Sequence, residues 1–214
     1  MSQVVRIFVE KKNGFDVEAS QILWDLKNNL GLTSLEELRL VNRYDISGLS
    51  SEELDKAKTI VFSEPNQDNV YDETLPVEAG WKVFAMEYLP GQYDQRADSA
   101  AQCAQLLTQG ERPNVLSAKV VAVKGNITDE EFVKIQNYMI NPVESRLASM
   151  EKPETLDIPV VAPDKVADVE GFITFNDDEM AEYYSSMGFA MTLSDLKFCR
   201  DYFRESADHG KRNR

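Results

Sequence analysis

The chain has 214 residues, 43% hydrophobic and 28% charged, enough to bury a core as one domain or as two small ones. Its net charge of −14, from 37 acidic against 23 basic side chains, argues against a nucleic-acid or anionic-membrane surface, both of which want clustered Lys and Arg. Apolar runs are only a few residues long, which argues against a helical membrane span.

The first residues, Met1 to Ile7, enter a strand pattern at once without the layout of a signal peptide. Two distant cysteines, Cys103 and Cys199, suit a reducing compartment, so a cytoplasmic location is expected. The single histidine, His209, lies in a polar tail and is read as exposed. Nucleophile–histidine pairs and histidine-based metal sites would both have to use it, which narrows the chemistry.

In chain order, residues 4–10 read as a strand and Lys11 to Gly14 as a turn. A helix follows from Asp16, with Val17, Ile22, Leu23, Leu26 and Leu30 at helical spacing and Gly31 closing it. Leu38, Leu40, Asn42, Tyr44 and Ile46 alternate as in a half-buried strand, and Ser50 with Glu53 caps a helix from Leu54 to Phe62. Residues 63–78 carry two prolines and read as an irregular connector.

The pattern then starts again. Trp81–Glu87 reads as a strand, Pro90-Gly91 as a tight corner and Asp94–Gln109 as a helix with Ala97, Ala100, Ala101 and Ala104 on one face. Val115–Lys124 is a strand, and Thr128 with Glu131 caps a helix to Ile140. With a shift of 78 positions, Asp16 meets Asp94, Leu38 meets Leu116 and Glu52-Glu53 meets Glu130-Glu131, while the strand–Gly corners match with a one-residue gap. A repeated β-α-β-α unit of this length predicts an α+β fold of two ferredoxin-like halves packed as a pseudo-dimer, residues 1–148, with repeats at about 3–65 and 80–146. Residues 149–170 read as an extended, proline-containing linker, and 171–214 as short helices that open another domain.

The halves are not equivalent. The second corner, Leu89 to Arg96, is elaborate, with polar side chains held near a helix N-terminus that would suit an anion or a partner. Gln92, Asp94, Gln95 and Arg96 are therefore read either as a binding loop or as a hydrogen-bonded loop of ordinary structural use. Ile140 to Arg146 form a polar cluster after a proline-stopped helix, in which Arg146 beside Glu144 reads as a surface ion pair. No phosphate loop, dinucleotide fingerprint or CxxC pair is present, and the paired glutamates read as helix caps rather than catalytic carboxylates.

The stretch from Glu87 to Cys103, the Ile140-Asn141-Pro142-Val143-Glu144-Ser145-Arg146 ending and the opening Val9 to Ala19 together resemble the N-terminal region of single-chain phosphoribosylformylglycinamidine synthases. The resemblance covers essentially the whole chain. It implies a domain similar to a dimer of the small PurS protein, followed by the start of a helical linker domain from Gly188 to Phe203. The family amidates a ribonucleotide with glutamine-derived ammonia at the cost of ATP. The resemblance implies that ATP, Mg2+ and the glutaminase triad belong to further domains, with no catalytic residue, metal or cofactor in this segment. Its implied partners are the synthetase and glutaminase domains, in cis or as separate chains, met through Gly91, Gln92, Asp94, Gln95 and Arg96 first and Asn141, Glu144 and Arg146 second, with self-association possible and neither nucleic acid nor membrane expected. A stand-alone PurS-like assembly or regulatory protein is the rival expectation.

Overall fold

A computed structural model describes residues 3–157, 165–166 and 168–208; His209, the basic tail and most of the 158–167 stretch lie outside the described residues. The chain forms two compact units, Met1–Ile158 and Pro159–Arg214.

The first unit is α+β. Its strands are β1 (Val5–Lys11), β2 (Leu35–Ser47), β3 (Asp68–Asp72), β4 (Trp81–Tyr88), β5 (Asn114–Gly125) and β6 (Ser145–Ala148). Its helices are α1 (Val17–Asn28), α2 (Ser51–Ala57), α3 (Gln95–Thr108) and α4 (Asp129–Met139). All six strands join one antiparallel sheet in the order β3-β1-β2-β5-β4-β6.

Local chemistry accounts for the helix limits. Ser50 and Thr128 each close a capping box with the glutamate three positions on, satisfying two otherwise unpaired N–H groups at α2 and α4. Asp94 caps α3, and Gln109 ends it in a left-handed conformation. The helix expected over Leu54–Phe62 starts earlier, and its last turn widens to a π turn over Lys58–Phe62 that ends on the buried Phe62.

Two strands were not expected. β3 falls inside the supposed connector, and β6 inside the polar cluster after Pro142. Both are edge strands, held by backbone pairing to β1 and β4, so they need little apolar alternation of their own.

Alternation along the strands divides two faces. Ile7, Val9, Leu38, Tyr44, Phe84, Val121 and Val123 point to the face that carries α1–α4. Two cores form there. One takes Ala19 and Leu26 of α1 with Ile135 of α4; the other takes Leu54 and Ala57 of α2 with Ala100 of α3. Each core thus draws one helix from residues before Gly80 and one from after it.

The opposite face holds Phe8, Val41, Ala85 and Val120 around a buried ion cluster. Arg6 forks onto Asp45 through Nε (2.6 Å) and Nη2 (2.9 Å), and the two are each only 2% exposed. The backbone beyond β6 crosses this face: Ser149 O accepts from Arg43, and Met150 O and Glu151 O accept from Arg6. Burial pushes the Arg43 guanidinium down, reinforced by the neighbouring Arg6.

The ladders repeat along the chain. Ile7 pairs with Tyr44, and Phe84 with Val121, each residue 77 positions beyond its counterpart. Likewise Glu10–Asn69 is followed by Glu87–Arg146, and Lys11–Asp68 by Tyr88–Ser145. The expected shift of 78 holds for the helix caps, and the one-residue gap expected at the β1 and β4 corners holds for β2 and β5 as well. Leu116 is 39% exposed, and the register counterpart of Leu38 is Val115, packed against the second core. A one-residue slip would turn every strand side chain to the wrong face. The strands that α1 joins are antiparallel neighbours, as are those joined by α3. In a split βαβ unit they would instead run parallel with a strand between them.

The second unit holds α5 (Asp177–Met187) and α6 (Leu193–Asp208). Phe172, Phe175, Tyr183 and Phe189 meet edge-on or tilted, with Tyr183 at 5.8 Å from Phe175 and 5.6 Å from Phe189. Met180 and Leu196 are buried, and Arg200 binds Phe175 O and Asp177. No helix among the described residues is long and apolar enough to cross a membrane.

Candidate functional site

At the end of β4 the chain turns through Leu89-Pro90-Gly91-Gln92. Gln92 N–H donates to Leu89 O (2.9 Å) and Gly91 takes φ +91°, the pattern of a type II turn with proline first and glycine second. The turn delivers Asp94 to the start of α3. One Asp94 oxygen accepts from Ala97 N–H (2.9 Å), and both accept from the Ser117 hydroxyl. The N-terminus of α3, expected to be open to an anion, is therefore already occupied by the chain's own carboxylate.

Beside it, Asp98 is held below the usual carboxylate range by the Tyr93 hydroxyl and by Arg112.

The second candidate cluster folds onto this corner. Asn141 O accepts from Glu144 N–H (3.1 Å) and Ser145 N–H (2.8 Å), making a turn that leads into β6. Leu89 N–H donates to Glu144 O (2.9 Å), tying the two candidate stretches together. Arg146 reaches Glu87 across the β4–β6 ladder at 2.8 Å, so its ion-pair partner is Glu87 rather than Glu144.

Between α3, the sheet and this turn lies a groove of about 580 Å³. Of the eight expected residues, Gln95, Arg96 and Glu144 line it. Gly91 and Gln92 form the turn, Asp94 the cap, Asn141 the second turn and Arg146 the edge ion pair. The sheet adds Tyr44, Ser117 and Lys119, which sequence reasoning missed: in a strand they read only as alternating positions. Cys103 also lines the groove and is exposed.

Arg96 is the distinctive group. Its Nη1 reaches the Tyr44 hydroxyl at a long 3.4 Å. Arg96 is exposed to solvent at the groove; the partial desolvation by the groove walls would lower its pKa, but the bond to Tyr44 and the fields of Glu18 and Asp94 outweigh that, so it stays charged well into the alkaline range. Lys119 is held by Glu18 at 2.6 Å. A smaller groove of about 280 Å³ shares Tyr44 and Arg96 as wall residues and is lined by Phe15, Glu18 and Phe62.

Among the described residues no group of three or more His, Cys, Asp or Glu side chains is placed to hold a metal ion. The chain matches no model of a known protein family, and no curated protein matches it.

Proposed function

We propose that this chain is the N-terminal scaffold segment of a phosphoribosylformylglycinamidine synthase, the ATP- and glutamine-dependent ligase of purine biosynthesis. In this reading the segment joins the synthetase and glutaminase parts, in the cytoplasm, and helps enclose the path of ammonia between them. It contributes no catalytic residue, and ATP and Mg2+ act elsewhere in the enzyme.

The observation that carries the reading is the juxtaposition of the two stretches that resemble the family. Glu87–Cys103 and Ile140–Arg146 lie far apart in sequence but are stitched together by the Leu89–Glu144 backbone bond around one groove. The repetition of the strand register at 77 positions supports the pseudo-dimer, a duplicated pair of PurS-like halves. The halves have the helix-over-sheet layering of ferredoxin-like units, with a different strand connection. Residues after 170 form the start of the helical linker domain in the same proposal.

The test mixes this chain with a synthetase–glutaminase protein that lacks its own N-terminal region. Glutamine-dependent ADP release with the ribonucleotide substrate should appear only on mixing. Arg96→Ala should weaken that complementation. Absence of both binding and activity overturns the ligase reading and favours a stand-alone PurS-like assembly protein.

A further inference from the structure

The geometry points to the groove beside α3 as a binding site for a small hydroxylated oxyanion, a phosphate ester or a carboxylate, whose charged group docks on Arg96. The inference rests on the groove alone and does not depend on the ligase assignment.

The first observation is an unspent guanidinium. Every other arginine among the described residues has a carboxylate oxygen within 3.6 Å. Arg96, exposed at the groove, has no such partner among the described residues; Glu18 and Asp94 act on it only through their fields, and its one side-chain bond is the long contact to Tyr44. Its planar fork matches the paired oxygens of a carboxylate or phosphate.

The second observation is the cavity itself. Its volume of about 580 Å³ falls within the range of small-molecule sites. Its polar lining includes the hydroxyls of Ser99, Ser117, Ser145 and Tyr44, of which Ser117 and Ser145 donate to Asp94 and Asn141 O and so offer a ligand their oxygens as acceptors. Glu144, which can only accept when ionised, lines it too, so a ligand that brings its own hydroxyl donors is favoured over a bare ion. The other lining carboxylate, Glu87, is neutralised by Arg146.

The third observation is asymmetry. With the helix shift of 78, the counterpart of Arg96 is Glu18, whose carboxylate is engaged by Lys119. The repeated fold thus places a fork with no carboxylate partner in the large groove, and a consumed carboxylate at the equivalent helix position.

Cys103 supplies the readout, because it lines the groove, while Cys199 lies in the second unit and serves as an internal control. The full chain is alkylated with iodoacetamide in the presence of glucose 6-phosphate, gluconate or glucose, and each cysteine's rate is followed by peptide mass spectrometry. The expected result is slower modification of Cys103, but not of Cys199, with glucose 6-phosphate or gluconate. Whichever anion acts identifies the phosphate or carboxylate source. Arg96→Gln should weaken the protecting anion roughly tenfold or more, and Arg96→Lys, which keeps the charge without the fork, should lie between. Equal protection by glucose, no protection by either anion, or protection undiminished in the variants overturns the proposal. If Arg96→Gln fails to fold, Arg96→Lys decides between the same outcomes.

Discussion

Asn42 faces Lys119 across the β2–β5 ladder, and the 77 positions between them are the same interval that carries the β1–β2 pairing onto β4–β5. An offset of 77 positions therefore carries Asn42 onto its own ladder partner, at the centre of the sheet. Each helical core is built by one helix from before Gly80 and one from after it.

Separation of the halves follows from that arrangement. Residues 1–77 alone would leave Leu26 and Leu54 without the α4 and α3 side chains that cover them. Expressed alone, this piece should be unfolded or self-paired. Mixing it with residues 78–157 should restore one cooperative unfolding transition, read by circular dichroism and sedimentation. A folded, monomeric 1–77 piece would contradict the shared cores.

Asp45 is the counter-charge for two buried arginines, with Arg6 at 2.6 Å and Arg43 at 3.6 Å. Asp45→Ala strands both cations, and the Arg43 Nε already lacks a hydrogen-bond partner. The expected loss is about 3–5 kcal/mol in urea denaturation, because removing one member of a buried ion cluster leaves charge uncompensated. The backbone amides of 149–152 should also exchange faster, because the arginines that hold this segment through its carbonyls lose their anchor.

Two glycines separate strain from space. A Cβ on Gly125, at φ +148°, would collide with the Ser34 carbonyl oxygen, whereas Gly91, at φ +91°, has open space around it. Gly125→Ala should cost about 3 kcal/mol or more, since both backbone conformation and packing oppose it. Gly91→Ala pays conformational strain alone, about 1–2 kcal/mol. Equal losses in thermal denaturation would refute this distinction.

Asp94→Ala removes the cap of α3 and the anchor of Ser117 together. A loss of about 1–3 kcal/mol is expected, with exchange protection falling first in the opening turn of α3. Asp94→Asn should retain most of the stability, because its side-chain oxygen still accepts from Ala97.

Acid should loosen the second unit through Asp177. Hydrogen bonds from Arg200 and Lys197, with the charge of Lys197, hold its carboxyl below the usual range, and Asp201 is lowered by Arg200. A carboxyl whose folded pKa is depressed stabilises the fold above the unfolded value of about 3.9. That contribution fades as pH falls below this value and through the folded pKa. The α5 and α6 amides in the full chain should therefore exchange faster in this acid range, and Asp177→Asn should remove part of the pH dependence.

The helices with their caps and the four longer strands were legible in the sequence, because capping boxes and helical or alternating spacing act over a few residues. Ser50–Glu53, Thr128–Glu131 and Asp94 sit at helix starts as expected. The Pro90-Gly91 corner was also readable, since those two residue types restrict the turn locally. What tertiary structure decided was everything set by partners distant in the chain. Edge pairing alone makes strands of Asp68–Asp72 and Ser145–Ala148. Strand register, not residue likeness, assigns Val115 rather than Leu116 as the counterpart of Leu38. The groove joins Arg96 to Tyr44, 52 positions away, and gives Arg146 to Glu87 instead of Glu144. Spacing along a chain reports which groups share a face, whereas the meeting of two faces depends on how the whole sheet closes over its cores.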